Sequence, residues 1–199
     1  MPKGFSEQEK INIRQRLIAA GREMFSTYGL KKTNVDDITR ICGISKGAFY
    51  LFFTSKEELF MEILESADFE MKASMRQMLL PEIKPTRESY KMAIVTMMQA
   101  IKEHPLLAIF KSDEYENLMR KLEPELAANH IAMDKAYFRS LYLEGLEKGY
   151  FRKVDPDTLS TFSTALFLLS LHSDQTAVID FDKMVTILSD MFSEHIIVP

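Results

Sequence analysis

The stretch from Thr33 to Leu59 constrains the fold more than any other, because its capping and turn-forming residues fit two short helices around a tight turn. Thr33 can cap the first helix, whose acidic opening turn suits the positive end of a helix dipole. Gly43 suits the left-handed backbone that a turn after a helix requires, and Ser45 can cap the second helix. Two overlapping capping boxes over residues 54–58 then begin a third helix. Such a helix–turn–helix can lay its second helix across a DNA major groove.

The charge of the chain becomes informative only when it is divided. The 199 residues carry a formal net charge of −4. Residues 1–56 hold ten Lys/Arg against five Asp/Glu, a balance of +5, and residues 57–199 hold fifteen against twenty-four, a balance of −9. A basic N-terminal module attached to an acidic body favours a polyanionic partner for the module alone.

The rest of the chain shows helical punctuation and no hairpin signals. Apolar spacing and breakers predict helices over about 7–28, 56–78, 87–103, 124–148, 155–172 and 180–195, with short helical pieces over 106–122. Gly29 and Gly149 are placed to end two of them, Pro124 to begin one and Asp180 to cap the last. The prediction is an all-α protein: a three-helix DNA-binding head, residues 1–55, on a larger helical bundle body, residues 56–199.

Three pieces of the N-terminal third carry a family resemblance: RQRLIAAGREMFSTYG, TNVDDITRICGISKGAFYLFF and TSKEEL. Together they resemble the DNA-binding half of the tetracycline-repressor (TetR) family of bacterial transcription regulators, over roughly residues 10 to 65. Many members carry Tyr-x-His-Phe where this chain has Tyr50-Leu51-Phe52-Phe53, so the polar backbone contact of that histidine is not implied here. Beyond this segment only the number and order of helices agree.

Within that segment, the long cationic side chain of Lys46 is the best candidate for a base-edge or phosphate contact. Gly47 and Ala48 allow close approach to the groove, Tyr50 can donate its hydroxyl to a phosphate, and Lys56 lies at a helix start that suits an anion. The residues assigned to DNA contact are Thr33, Ser45, Lys46, Gly47, Ala48, Tyr50, Phe52 and Lys56.

The body is rich in methionine, with ten of the thirteen methionines between residues 66 and 199. Because methionine adapts to irregular apolar shapes, such an interior can accept an apolar or aromatic ligand, although the same residues also fill ordinary cores. The resemblance favours the ligand pocket. The candidate effector-binding residues are Met92, Val95, Phe110, His130, Met133 and Tyr137.

The last two helices carry more apolar surface than one small body can cover. This surplus predicts dimerisation through a four-helix interface, which the resemblance also implies. The candidate interface residues are Leu159, Phe162, Leu166, Leu169, Phe181, Met184, Leu188 and Phe192. A two-fold dimer would set two recognition helices about one DNA turn apart and favour a palindromic operator. The alternative is that both stripes pack only internally.

We therefore expect a homodimeric repressor that a small molecule releases from its operator. A transcriptional activator is the alternative within the same class. A small helical enzyme, or an interaction module with a structural helix–turn–helix, is the alternative class. The four histidines are scattered and no phosphate loop, dinucleotide fingerprint or nucleophile elbow occurs, so no cofactor or metal is expected. The N-terminus lacks the apolar core of a signal peptide and the apolar runs are too short to span a bilayer, which predicts a cytoplasmic protein.

Overall fold

A computed structural model of the chain describes residues 5–111, 118, 124–171 and 180–199. In chain order its helices are α1 Glu7–Lys32, α2 Val35–Cys42, α3 Lys46–Phe49, α4 Lys56–Leu79, α5 Arg87–Glu103, a 3₁₀ helix Pro105–Lys111, α6 Pro124–Glu147, α7 Thr158–Leu171 and α8 Phe181–Ile196. In this part of the chain, extended pairing is limited to one antiparallel bridge between Phe151 and Ile197. The all-α prediction is confirmed.

The chain divides into two compact units between Glu70 and Met71, inside α4. From here on, the head is this first unit, which ends at Glu70 and therefore includes α1 to α3 and the first half of α4. The second unit, here called the body, holds the remaining helices. The boundary expected at residue 55 was that of the DNA-binding domain, and it stays a prediction. The division into two compact units does not show which residues contact DNA.

The core of the head is aromatic and aliphatic, as the helical spacing of its apolar residues requires. Its largest fully buried side chains are Leu17, Phe25, Ile38, Phe49, Phe53, Leu59, Phe60 and Ile63. Phe25 of α1 meets Phe60 of α4 edge to face, with ring centroids 5.2 Å apart. These contacts give the short helices α2 and α3 a rigid support that neither could provide alone.

Gly21 of α1 lies directly against α4. A methyl group at Gly21 would lie 2.9 Å from Ile63 Cδ1 and 3.0 Å from Leu59 Cδ2. The Arg22 guanidinium donates to both carboxylate oxygens of Glu70, at 3.1 and 3.0 Å. The first half of α4 is therefore held to α1 by packing and by a bidentate ion pair.

In the body, α5 and α8 form the most extensive helix pair and run antiparallel. Arg87, at the start of α5, pairs with Asp190 at 3.0 Å, and Lys102, near its end, pairs with Asp182 at 3.0 Å. The buried side of α5 is formed by Tyr90, Ile94, Met97, Met98 and Ile101, and Met92 is exposed.

Several helix ends follow their predicted signals. Asp180 accepts the Lys183 amide at 3.0 Å and caps α8, and α6 begins at Pro124. Gly29 interrupts the helical backbone of α1 with φ 77° and ψ 170°. Gly149, with φ 71°, follows the end of α6. All of these are local signals that act within three or four residues.

Two predicted helix starts are wrong. The N-cap of α2 is Asn34 rather than Thr33, because the Thr33 hydroxyl turns back to donate to the Gly29 carbonyl at 2.8 Å. Helix α7 begins at Thr158 rather than Asp155, because the Asp155 carboxylate accepts the Asp157 amide at 2.8 Å and holds a turn there.

Candidate nucleic-acid interface

The turn between α2 and α3 has the geometry that its glycine predicted. Gly43 adopts the left-handed conformation, with φ 62° and ψ 35°, and its amide donates to the Arg40 carbonyl. The Ile44 amide donates to the Thr39 carbonyl at 3.1 Å. The Arg16 guanidinium donates to the Cys42 carbonyl and joins the end of α2 to α1. The carbonyls of Thr39, Arg40 and Cys42 at the end of α2 are thus satisfied, which fixes the direction in which α3 leaves the turn.

Helix α3 is a single turn whose start depends on Ser45. The Ser45 Oγ accepts the Ala48 amide at 3.1 Å, and the Ser45 carbonyl accepts the Phe49 amide at 3.3 Å. Ala48 and Phe49 are buried in the head. Ser45 and Ala48 therefore orient the helix from within, by capping and by packing.

The outward side of this segment presents Lys46, Gly47, Tyr50 and Leu51. Tyr50 is 51% exposed and Leu51 is 72% exposed. A Cβ at Gly47 would meet only the Ser45 Oγ, at 3.9 Å, so the head itself does not require a glycine there. The four positions form a continuous exposed surface, here called the recognition surface, that can approach a partner closely.

Leu51 is a residue that the sequence did not single out. It lies in a run of three apolar residues, Leu51 to Phe53, in which the sequence alone does not say which one faces outward. In the structure Phe53 is buried and Phe52 is half-buried beside Phe5, with ring centroids 6.4 Å apart. Phe52 thus contacts the segment before α1. At this position many family members have the histidine of the Tyr-x-His-Phe motif, which carries a polar group.

Thr33 and Lys56 lie together at the junction of α1 and α4. Thr33 is fully buried. The Lys56 ammonium donates to the carbonyls of Leu30 at 2.8 Å and Thr33 at 2.7 Å. A cation at these carbonyls offsets the negative end of α1, so both side chains are engaged inside the head.

The residues assigned to an effector have different surroundings in the body. Met92 and Met133 are exposed, and Val95, Phe110 and Tyr137 are half-buried. Phe110 packs edge to face on Phe167 of α7, with centroids 5.6 Å apart. The Tyr137 hydroxyl donates to the Lys72 carbonyl of α4. His130 falls within α6, and its side chain lies outside the described residues.

The residues assigned to the dimer interface are mostly covered within one chain. Leu159, Leu166, Phe181 and Phe192 are buried, Phe162, Met184 and Leu188 are half-buried, and Leu169 is exposed. Phe162 of α7 stacks on Phe192 of α8, with centroids 3.8 Å apart.

The same two helices expose large apolar side chains one position away from those stripes. Leu168, Ile187 and Met191 are 52%, 50% and 62% exposed. We call Leu168, Leu169, Ile187 and Met191 the α7–α8 face. The sequence did not single out Leu168 and Ile187 of this face, because both helices are apolar over more than one side.

Within the described residues, no cluster of His, Cys, Asp and Glu has the makings of a metal site. A search of the same residues finds no helix long and apolar enough to cross a membrane.

A capped single-turn helix, held beyond a glycine turn within the basic N-terminal segment of residues 1–56, defines a helix–turn–helix DNA-binding protein. Residues 17–63 match the family model described as bacterial regulatory proteins, tetR family. These residues of the chain thus carry the DNA-binding domain of this family of transcription regulators. Its members are regulators and not enzymes, which removes the enzyme alternative.

Relatives extend the likeness along most of the chain. YhgD of Bacillus subtilis, an uncharacterised HTH-type transcriptional regulator, is 25% identical over 87% of this chain and 86% of its own length. The HTH-type transcriptional repressor KstR2 of Mycobacterium tuberculosis is 27% identical over 77% of each chain. The crystal structure of RolR in complex with resorcinol shares the fold, with a TM-score of 0.58, 23% identity and coverage of 94% of this chain and 90% of RolR.

Proposed function

We propose that this regulator is a homodimeric repressor that binds a palindromic operator through the recognition surface of α3. The observation that carries the proposal is the exposure of Lys46, Gly47, Tyr50 and Leu51 on a short helix whose inner side is fixed by Ser45 and Phe49. Repression is supported by the repressor KstR2, whose similarity covers 77% of this chain. A protein with this role acts where bacterial DNA lies, in the cytoplasm.

In the proposed complex the recognition surface enters the major groove. Lys46 contacts a base edge or a phosphate, Tyr50 donates its hydroxyl to a phosphate, and Gly47 permits close approach. Thr33 and Lys56 contribute differently, because their polar groups are used at the α1–α4 junction. They hold the backbone amides at the start of α4 in place to meet the flanking phosphates.

The test is a binding titration across salt concentration. The operator is first selected by the wild-type protein from a library of randomised duplexes, and its affinity is then measured by fluorescence anisotropy. Affinity should fall steeply with salt, because bound phosphates displace counterions. Lys46→Ala should weaken binding. A phosphate contact of Lys46 predicts a slope of log affinity against log salt that is shallower by about 0.9, whereas a base-edge contact predicts a loss of affinity with little change of slope.

The matched control is Lys153→Ala, which removes the same charge from an exposed position in the body. It should leave the salt slope unchanged. A wild-type affinity that does not respond to ionic strength would contradict DNA binding by the recognition surface.

Dimerisation through the α7–α8 face is the second part of the proposal. Four large apolar side chains are exposed on two helices that meet at Phe162 and Phe192, and association would remove them from water at about 25 cal/mol per Å². Sedimentation velocity at micromolar concentration should give a dimer for the wild-type chain. Leu168→Glu/Met191→Glu should give a monomer, because association would bury two carboxylates per chain.

Ile83→Glu is the control for that experiment. Ile83 is 83% exposed and lies outside the α7–α8 face, so the same chemical change should leave the dimer intact. A wild-type monomer with and without operator would contradict this part of the proposal.

The third part is release of the operator by a small apolar or aromatic ligand in the body. The methionine-rich body and the resorcinol bound by RolR support it. Helix α4 contributes residues to both units, so a ligand that prefers one arrangement of the body can bias the head. A coupling of about 1–3 kcal/mol changes operator affinity roughly 5–150-fold.

A panel of simple phenols and apolar compounds, titrated into the labelled complex, measures this release. Tyr137→Phe removes one candidate polar contact and should shift the concentration needed for release. If no compound of the panel lowers operator affinity, the induction part of the proposal fails while DNA binding stands.

A further inference from the structure

The cations of the helix–turn–helix are paired with carboxylates from the first turn of α2. The Lys46 ammonium lies 2.9 Å from Asp36 Oδ2, and the Arg40 guanidinium lies 3.1 Å from Asp37 Oδ1. Residues 33–55 contain no other Lys, Arg, Asp or Glu. Residues 33–55 are therefore electrically neutral, and the +5 balance of residues 1–56 lies outside them.

The two ion pairs differ in what they connect. Arg40 and Asp37 belong to the same helix, three residues apart. Lys46 is the first residue of α3 and Asp36 the second residue of α2, so their bond crosses the turn and joins the two helices. Lysine has a flexible four-carbon stem, and a fixed carboxylate reduces the positions that its ammonium samples.

The pair lies on the outer surface. The side chains of Lys46 and Asp36 are 54% and 59% exposed. The hydrogen bond to Asp36 raises the pKa of Lys46, so the ammonium remains charged while its charge is balanced. An exposed ion pair of this kind is weak enough to exchange for another acceptor of better geometry.

From this geometry we infer that Asp36 is a specificity-determining residue that acts through Lys46. The inference rests on the proposed DNA binding. On DNA of arbitrary sequence, Asp36 competes with the phosphates for the Lys46 ammonium and removes one non-specific contact. On the operator, a base-edge acceptor such as guanine O6 or N7 takes the ammonium in place of the carboxylate. Non-specific affinity is thereby lowered more than operator affinity, and the ratio of the two rises.

The test is a pair of isosteric charge removals, Asp36→Asn and Asp37→Asn, each made with Lys46 present and with Lys46→Met. Two probes are used: the duplex selected by the wild-type protein and a scrambled duplex of the same composition. Both substitutions change the net charge by the same amount, so general electrostatic attraction is matched. Circular dichroism of each variant checks that the helices are retained.

With Lys46 present, Asp36→Asn should tighten binding to the scrambled duplex about threefold to tenfold and steepen its salt slope by about 0.9. Operator affinity should change less, so the specificity ratio falls. In the Lys46→Met background, Asp36→Asn should no longer tighten binding to the scrambled duplex or steepen its salt slope in this way, because no ammonium remains to be released. The effect of Asp37→Asn should be the same in both backgrounds, since its partner is Arg40.

An unchanged specificity ratio in Asp36→Asn would overturn the inference while leaving operator binding intact. An effect of Asp36→Asn that is equal with Lys46 present and in the Lys46→Met background would do the same. If the wild-type protein binds neither duplex in a salt-dependent way, the proposed function fails and the inference fails with it. The wild-type titration distinguishes the two results.

Discussion

Gly145→Ala is expected to destabilise the body, although alanine is the better helix former. Gly145 lies near the end of α6, where the chain turns back and places Phe151 against it. A Cβ built on Gly145 would lie 2.2 Å from Cδ2 and Cε2 of Phe151 and 2.8 Å from Cζ. Carbon atoms pack at about 3.5–4.0 Å, so the ring would have to move by more than about 1 Å.

The ring of Phe151 has little freedom to move. It is buried, stacks on Tyr142 with centroids 6.4 Å apart and meets Tyr90 edge to face at 5.5 Å. Both tyrosines are themselves buried. Overpacking of a tight core costs about 1–3 kcal/mol, and the rigid surroundings place this site at the upper end. Alanine regains about 1 kcal/mol of helix propensity, which leaves a net loss of about 2 kcal/mol.

Urea unfolding followed by circular dichroism at fixed protein concentration measures this loss. Phe151→Leu provides the internal check, because a shorter side chain gives the new methyl group room. The double variant should be more stable than the sum of the single effects by about 1–2 kcal/mol. A Gly145→Ala protein as stable as the wild type, or additive single effects, would refute the reasoning.

Three further predictions concern other local devices. Lys56→Met should lower the stability of the head by about 1–2 kcal/mol, because the Leu30 and Thr33 carbonyls lose a charged donor. Lys32→Met, at an exposed position, should leave the stability unchanged. Thermal unfolding of the two variants compares these effects. Hydrogen bonds from Thr54 hold the pKa of Glu58 below its ordinary 4.5, so Glu58→Gln should be less stable than wild type at neutral pH. That difference should shrink as urea unfolding is repeated from about pH 6 down to about pH 3, as the depressed carboxylate is protonated. Gly149→Ala should cost about 1 kcal/mol in the same assay, because φ is 71° there, and Gly149→Asn should cost less.

The sequence determined the features that depend on neighbours within a few residues. The left-handed turn at Gly43, the Ser45 cap of α3 and the Asp180 cap of α8 were predicted and are confirmed. Each is a bond between groups three or four positions apart, so the local order of residue types is sufficient to specify it. The same local motifs carried the family resemblance, which the match over residues 17–63 confirms.

The tertiary structure decided which side of each element is covered and which distant groups meet. The apolar stripes of α7 and α8 offered several faces, and the packing of Phe162 on Phe192 left Leu168 and Met191 outside. Thr33 looked like a helix cap, but it is buried, and its carbonyl accepts the Lys56 ammonium from 23 positions further along the chain. The Asp36–Lys46 bond likewise joins two helices whose inner sides, at Ile38 and Phe49, are packed in the head core. Burial and such pairings depend on all the elements packed around a residue, and no periodicity within one helix contains that information.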